Sequence, residues 1–298
     1  DPDVAKAARE VVGVVGSLIE ISDGRHAVDA FDLGLPILPM ACEGSLSPGN
    51  PDVEAAGAII EWIERAVDDV RDGSAAGIVT NPISKALLYK AGFAHPGHTE
   101  FLAALAAEDG VTSRPVMMLV GGGLRVALAT IHVPLGDVGA LLSADGIVEV
   151  GKITAAAMTR DFAIASPRIA LCGVNPHAGE DGSLGREEIE IVNPAAARLR
   201  AAGVDASDAR PGDTVFHEML GGAYDAVIAM YHDQGLIPVK TLDMWNGVNV
   251  TLGLPFVRTS PDHGTAYEAA RAGTVRSDAL IAAIRLADAM ATVRAATA

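Results

Sequence analysis

Apolar residues along this chain gather into short unbroken runs, at 75–80, 116–120, 125–130, 168–174, 225–231 and 249–255. Runs of that length suit strands buried on both faces of a parallel sheet. The segments between them carry a helical period. Ile59, Ile60, Ile63, Val67 and Val70 form one stripe, with Glu61, Glu64, Asp68 and Arg71 opposite. Asn50-Pro51 predicts the start of that helix, with Asn as cap and Pro in the first turn, and Gly73 its stop. Further helices are predicted at 85–91, 99–107, 146–162, 187–202 and from Ser277 to about Ala296. The first fifty residues predict a helix passing into a strand by Glu20, then a Gly/Pro-rich stretch, 34–51, with turns at Gly44 and Gly49. Strands alternating with helices imply an α/β fold with a mainly parallel sheet and helices on both faces. Gly121-Gly122-Gly123 joins two strand runs, and no G-x-G-x-x-G follows a strand elsewhere, so the fold is not expected to be a Rossmann domain.

Composition narrows the function classes. The 298 residues, half of them apolar and rich in Ala and Gly, suffice for one large α/β unit or two lobes. A formal net charge of -16 argues against nucleic-acid or anionic-membrane partners, while leaving room for a locally positive pocket. The acidic residues lie scattered on helix faces, where solubility accounts for them. Cys42 and Cys172 offer neither a disulfide framework nor metal-ligand spacing, and Cys172 lies inside an apolar run, as a small buried hydrophobe would. No run approaches a membrane span and no signal peptide is visible, so a cytoplasmic protein is expected.

Three of the apolar runs are followed within a few residues by a histidine: His132, His177 and His232. Ligands of open α/β sheets bind beyond the carboxyl ends of the strands. Three imidazoles placed there are candidates to share one divalent metal, Zn²⁺, Co²⁺ or Ni²⁺ before Mg²⁺. Each read alone is more often a hydrogen-bonded structural histidine; the threefold repetition of the strand-end placement shifts the balance, although placement does not prove convergence. Asp233 is either a partner of His232, a proton acceptor or a turn cap. His98 and Thr99 open a helix whose exposed N–H groups suit an anion, although an ordinary cap explains Thr99 too. Lys240 and Arg258 are cations flanking Asn249, which can donate to an oxyanion or hydroxyl. The polar loop Asp262-His263-Gly264-Thr265 opens a helix and suits the diphosphate or adenosine of a cofactor.

Longer motifs stand in order along the chain: Thr80 to Lys85 (TNPISK), Gly97 to Phe101 (GHTEF), Asn175 to Glu180 (NPHAGE), Met230 to Gly235 (MYHDQG) and Asn249 to Ala266 (NVTLGLPFVRTSPDHGTA). From about Pro51 to the C-terminus the chain resembles the 4-hydroxythreonine-4-phosphate dehydrogenase (PdxA) family of the pyridoxal phosphate pathway. The resemblance implies two α/β/α lobes around a cleft, similar to isocitrate and isopropylmalate dehydrogenases, with residues 1–105 and 250–298 in the first and 106–249 in the second. It implies NAD- (or NADP-) dependent oxidation of 4-phosphooxy-L-threonine, loss of CO2 and release of 3-amino-2-oxopropyl phosphate. It places metal ligands (Zn, Co or Mg) at His132, His177 and His232, and substrate contacts at His98, Thr99, Lys240, Asn249 and Arg258. Lys240 and Asp233 are the implied catalytic residues, and Asp262, His263, Gly264 and Thr265 the implied cofactor loop. A homodimer with an active site shared between subunits is implied as well. The family's opening strand and Gly-rich G-x-P-A-G-x-G-P loop have no counterpart here, so an edge of the first lobe is expected to be missing. Close alternatives are dehydrogenases of 4-phospho-threonate, 4-phospho-erythronate or a cyclic dihydrodiol. Alternatives of other classes are a metal-dependent lyase or hydrolase without nicotinamide, and a non-catalytic binder of a phosphorylated metabolite.

Overall fold

The computed structural model describes residues 1–44, 47–107 and 114–297, so residues 45–46 of the Gly/Pro-rich stretch lie outside it. The chain divides into two compact units, Asp1–Thr112 with His263–Ser277, and Ser113–Asp262 with Asp278–Ala298.

In the first unit, α1 (Pro2–Val12) is capped by the Asp1 carboxylate, which accepts from Asp3 N at 2.7 Å, and ends at Gly13 in the left-handed region. The parallel pair β1 (Leu18–Glu20) and β2 (Leu35–Ile37) flanks α2 (Ala27–Phe31). Next, α3 (Ala56–Arg71) begins five residues after the expected Pro51. Asn50 closes a turn instead of capping, its N–H and Nδ2 donating to Ser47 O and Oγ. Ile63 and Val67 of the expected stripe are buried, and Arg65 Nε reaches Asp69 Oδ1 at 2.8 Å one turn on. Then come β3 (Gly77–Val79), α4 (Lys85–Lys90), capped by Ser84, and α5 (His98–Ala107).

The second unit opens with β4 (Val116–Gly121) and β5 (Leu124–Leu128), a hairpin turning on Gly122 (φ 58°) and Gly123 (φ 85°). Positive φ at both turn positions is what a two-residue hairpin of this twist demands. In chain order follow α6 (Val138–Leu141), α7 (Ala144–Phe162), β6 (Arg168–Cys172), α8 (Asn193–Ala201), β7 (Asp205–Arg210), α9 (Val215–Leu220), β8 (Ala226–Ala229), α10 (His232–Leu242), β9 (Val248–Leu252) and β10 (Val257–Pro261). A short helix, α11 (Tyr267–Ala272), belongs to the first unit, and α12 (Asp278–Thr297) to the second.

Seven strands of the second unit lie in the order β10-β9-β4-β5-β8-β6-β7. Pairing is parallel across β5-β8-β6-β7 and antiparallel across β10-β9-β4-β5. Hence β5 to β9 share one direction, and β4 and β10 oppose it. The central strands β6 and β8 are buried almost throughout, as their unbroken apolar runs require, and Cys172 is among the fully buried residues. Burial also pushes the Cys172 thiol up, well away from the reactive thiolate.

Several elements carried no sequence signal, among them the short α2, β2 and α6. The edge strand β7 reads Asp-Ala-Ser-Asp-Ala-Arg, because one side faces no neighbour. The short α9 and β10 follow turn residues closely. α10 contains Gly235 and Pro238, both helix breakers by composition. Gly235 is there because a Cβ would meet Leu128 Cδ2 at 2.7 Å and Val126 Cγ1 at 3.0 Å, so the helix can lie hard against β5. The last helix packs on β10, β9 and α7, which puts it and β9–β10 in the second unit instead of the first. Arg294 on α12 reaches Asp161 on α7 at 2.6 Å, and Thr259 Oγ1 on β10 donates to Ala283 O at 2.8 Å. Among the described residues no helix is long and apolar enough to cross a membrane.

Candidate active site

The strands β5, β8 and β6 are parallel neighbours in the sheet, so their carboxyl ends lie side by side. Hydrogen bonds past the ends of the ladder set this arrangement. Thr130 Oγ1 donates to Met230 O at 2.7 Å and Ala129 N to Ala229 O at 2.8 Å, locking the approach to His132 against the approach to His232. The rings of His132 and His232 are 5.5 Å apart between centroids. His232 Nδ1 is 2.8 Å from Asp233 Oδ1. That contact favours the tautomer with the proton on Nδ1 and leaves the Nε2 lone pair free.

His177 is exposed and sits in an unusual turn after β6. His177, Ala178, Gly179, Glu180 and Asp181 all have positive φ, between 43° and 83°. Left-handed backbone is costly for residues with a Cβ, so the surroundings must impose it. The buried Glu188 does much of this: its Oε1 accepts from Val174 N (2.7 Å) and Asn175 N (2.8 Å), and its Oε2 from Asn175 Nδ2 (3.1 Å). His177 lines a cavity of about 560 Å³ with Asn175, Asp213, Tyr231, Asp233 and Gln234. His132 and His232 line a separate one of about 230 Å³, and Tyr231 and Asp233 border both. Among the described residues no three metal-ligating side chains stand close enough to share an ion. The idea that strand-end placement alone would bring all three imidazoles to one point is therefore not met within a single chain. Two of the three fit a metal ion as adjacent ligands, and the left-handed turn holds the third on another wall.

The remaining expected residues of the second unit form two groups. Lys240, two turns along α10 from His232, places Nζ 2.8 Å from Asp262 Oδ2 and 3.1 Å from Asp262 O, so the expected substrate lysine and the first residue of the expected cofactor loop are partners. On β9 and β10, Arg258 is 4% exposed and donates from Nη1 to Thr251 Oγ1 at 2.9 Å. Burial pushes its pKa down to about 10, so it remains a cation at neutral pH. Asn249 stands on β9 opposite Ser260, with its Oδ1 buried and without a hydrogen-bond partner among the described residues. A buried acceptor in that state favours a ligand that brings a donor.

In the first unit, His98 and Thr99 begin α5, both half-buried. A cation that the sequence reading passed over stands beside Gly97, the residue before them: a Cβ there would meet Lys85 Nζ at 3.1 Å and Glu100 Oε2 at 2.8 Å. Its signal was its place at the end of the Thr80–Lys85 motif. His263, Gly264 and Thr265 form an exposed to half-exposed turn before α11, with His263 Nδ1 2.8 Å from Gly264 O. Glu188 and Gln234 were also passed over: Glu188 is a buried carboxylate inside a helical pattern that reads as a surface position, and Gln234 is half-buried on α10, a helix whose Gly and Pro hid it.

An α/β chain with imidazoles beyond adjacent strand ends, a buried arginine on β10 and no Gly-rich dinucleotide turn in its sequence is of the metabolic-enzyme class. The chain belongs to the family described as pyridoxal phosphate biosynthetic protein PdxA, whose pattern matches residues 1–287. It is 52% identical over 275 residues to the 4-hydroxythreonine-4-phosphate dehydrogenase of Maricaulis maris, covering 91% of this chain and 81% of that one. It is similar in structure to the 4-hydroxythreonine-4-phosphate dehydrogenase of Klebsiella pneumoniae, with a TM-score of 0.84, 36% identity, and 95% and 87% of the two chains covered. It is also similar to a terephthalate 1,2-cis-dihydrodiol dehydrogenase of Burkholderia xenovorans, with a TM-score of 0.64, 25% identity, and 96% and 92% covered.

Proposed function

We propose that this chain oxidises the secondary alcohol of 4-phosphooxy-L-threonine with NAD, and that the keto acid formed loses CO2 to leave 3-amino-2-oxopropyl phosphate in pyridoxal phosphate biosynthesis. The observation that carries this reading is the strand-end pair His132 and His232, the latter oriented by Asp233, in a chain half identical to a 4-hydroxythreonine-4-phosphate dehydrogenase. His132 and His232 would hold a divalent ion (Zn, Co or Mg) together with the third histidine, position 177, of a second copy in a homodimer. Such an ion supplies Lewis acidity toward a substrate oxygen.

The chain's own residues divide the remaining work. In the first unit, His98 and Thr99 at the start of α5, with Lys85 beside them, bind an anionic group. In the second, the buried Arg258 binds another, and it does so strongly because little water competes for it. Asn249 Oδ1 accepts from a substrate hydroxyl or ammonium. Lys240, held by Asp262, carries the proton exchanged with the substrate, and Asp233 keeps His232 in one tautomer. The turn from Asp262 to Thr265 holds the cofactor diphosphate.

The test is spectrophotometric. NADH absorbance rises when enzyme, NAD, 4-phosphooxy-L-threonine and Zn²⁺, Co²⁺ or Mg²⁺ are mixed, and a chelator abolishes the rise. A response to 4-phospho-threonate, 4-phospho-erythronate or a cyclic dihydrodiol alone would move the reading to that substrate. The likeness to the dihydrodiol dehydrogenase supports the last of these, and the buried Arg258 speaks for an anionic substrate. No absorbance change with any of them would retire the dehydrogenase reading. Mixing His177→Ala and His232→Ala chains tests the shared site: the mixed dimer regains activity that neither variant has alone.

A further inference from the structure

The backbone ladder between β6 and β8 ends at the pair Leu171–Ile228. Beyond it, where the next peptide bonds would pair, the side chain of Gln234 takes over. Its Oε1 accepts from Met230 N at 2.7 Å, and its Nε2 donates to Gly173 O at 2.7 Å. Met230 stands two residues before His232, and Gly173 four residues before His177. The carbonyl oxygen of the same residue, Met230, accepts from Thr130 Oγ1, two residues before His132. One line of hydrogen bonds, Thr130–Met230–Gln234–Gly173, therefore crosses the ends of all three histidine-bearing strands. Gly173 N continues it by donating to Arg210 O on β7 at 2.8 Å.

Resting on the reading above, we propose that Gln234 is a positioning residue for catalysis: its carboxamide acts as a substitute peptide group that sets the spacing between the His177 turn and the His132–His232 pair. The chemistry of the two contacts selects this side chain. One neighbour is a backbone donor and the other a backbone acceptor, so the spacer must accept on one side and donate on the other. Glutamate would turn a second acceptor toward Gly173 O, leucine would satisfy neither group, and asparagine is one methylene too short. Gly212 lies alongside: a Cβ there would come within 3.2 Å of Gln234 Nε2, so the carboxamide takes room that a side chain at 212 would need. Gln234 also lines the cavity that holds His177 and Asp233, so its length fixes the width of that cavity between the strand ends.

The experiment compares wild type, Gln234→Leu and Gln234→Glu as full chains, checked for unchanged far-UV circular dichroism. Amide exchange over residues 173–185 is read by mass spectrometry, and kcat and KM in the NADH assay. Exchange in that segment accelerates about tenfold or more in Gln234→Leu. In both variants kcat falls about 10- to 100-fold while KM for the phosphorylated substrate moves less than about threefold, since the anion contacts lie elsewhere. Gln234→Glu, which keeps the Met230 bond, is impaired as Gln234→Leu is. Wild-type exchange in both folded variants overturns the proposal whatever the activity. Loosened exchange with unchanged kcat overturns the catalytic part of it. An inactive wild type with loosened exchange in the variants removes the dehydrogenase reading and leaves the spacer standing as a purely structural one, so the two failures are distinct. Should Gln234→Leu fail to fold, Gln234→Glu carries both readouts.

Discussion

Asp233 Oδ1 stands 2.8 Å from Nδ1 of His232, its neighbour in sequence, on the first turn of α10. Adjacent residues of a helix normally point about 100° apart, so the contact needs both side chains to turn toward each other at the exposed helix start. What it secures is orientation of the imidazole. Asp233→Ala is expected to lower metal affinity and kcat/KM about 10- to 100-fold, with the fold intact. Isothermal titration with Zn²⁺ beside the NADH assay checks this, and unchanged affinity would remove Asp233 from the site.

His177 allows function and stability to be separated. It is exposed, and its φ of 52° is one glycine accepts freely. His177→Gly is expected to hold or raise stability, by up to about 1 kcal/mol, while turnover is lost. Urea denaturation with a parallel activity measurement reads both. A destabilised but active variant would contradict the assignment.

Arg258→Ala is expected chiefly to raise KM, about 10²-fold for a lost charge-assisted contact of about 2–3 kcal/mol. Because Arg258 Nη1 also donates to Thr251 Oγ1, Thr251→Val serves as a control that breaks that bond and keeps the cation. If KM is unchanged in Arg258→Ala, the buried guanidinium is structural only.

Stability of the second unit is expected to depend on pH through Asp161. Burial pushes this carboxyl up, but hydrogen bonds from Arg160 and Arg294 outweigh it and hold it below the usual carboxylate range. Its folded pKa lies below its unfolded one, so its contribution is complete above the unfolded value and is lost as pH falls through the folded value. Asp161→Ala is expected to cost about 3 kcal/mol at neutral pH, since it strands Arg294. The gap from wild type should narrow as the medium is acidified below the usual carboxylate range. Thermal melts across that range measure it, and a constant gap would place the role of Asp161 in packing.

Much of the fold was readable from residue order because burial on both faces of β5, β6 and β8 demands unbroken apolar runs, and the amphipathic helices α3 and α7 demand their stripes. Elements that escaped notice were those whose local preference loses to packing. Nothing in Asp-Ala-Ser-Asp-Ala-Arg favours a strand, yet β6 offers it an edge to pair with. Gly235 and Pro238 weaken a helix, yet the close approach to β5 retains it. Asn50-Pro51 has the composition of a helix start, but a local turn claimed Asn50 first.

The chemistry divides in the same way. Residue order alone determined which side chains could act, because a histidine following a buried strand must emerge at a sheet's carboxyl edge. Only the tertiary structure decided which of them meet. Strand order put β5, β8 and β6 together, and the hydrogen bonds of Thr130, Gln234 and Glu188 set the distances. These contacts join residues up to 100 positions apart in the chain, so no local pattern could have announced them.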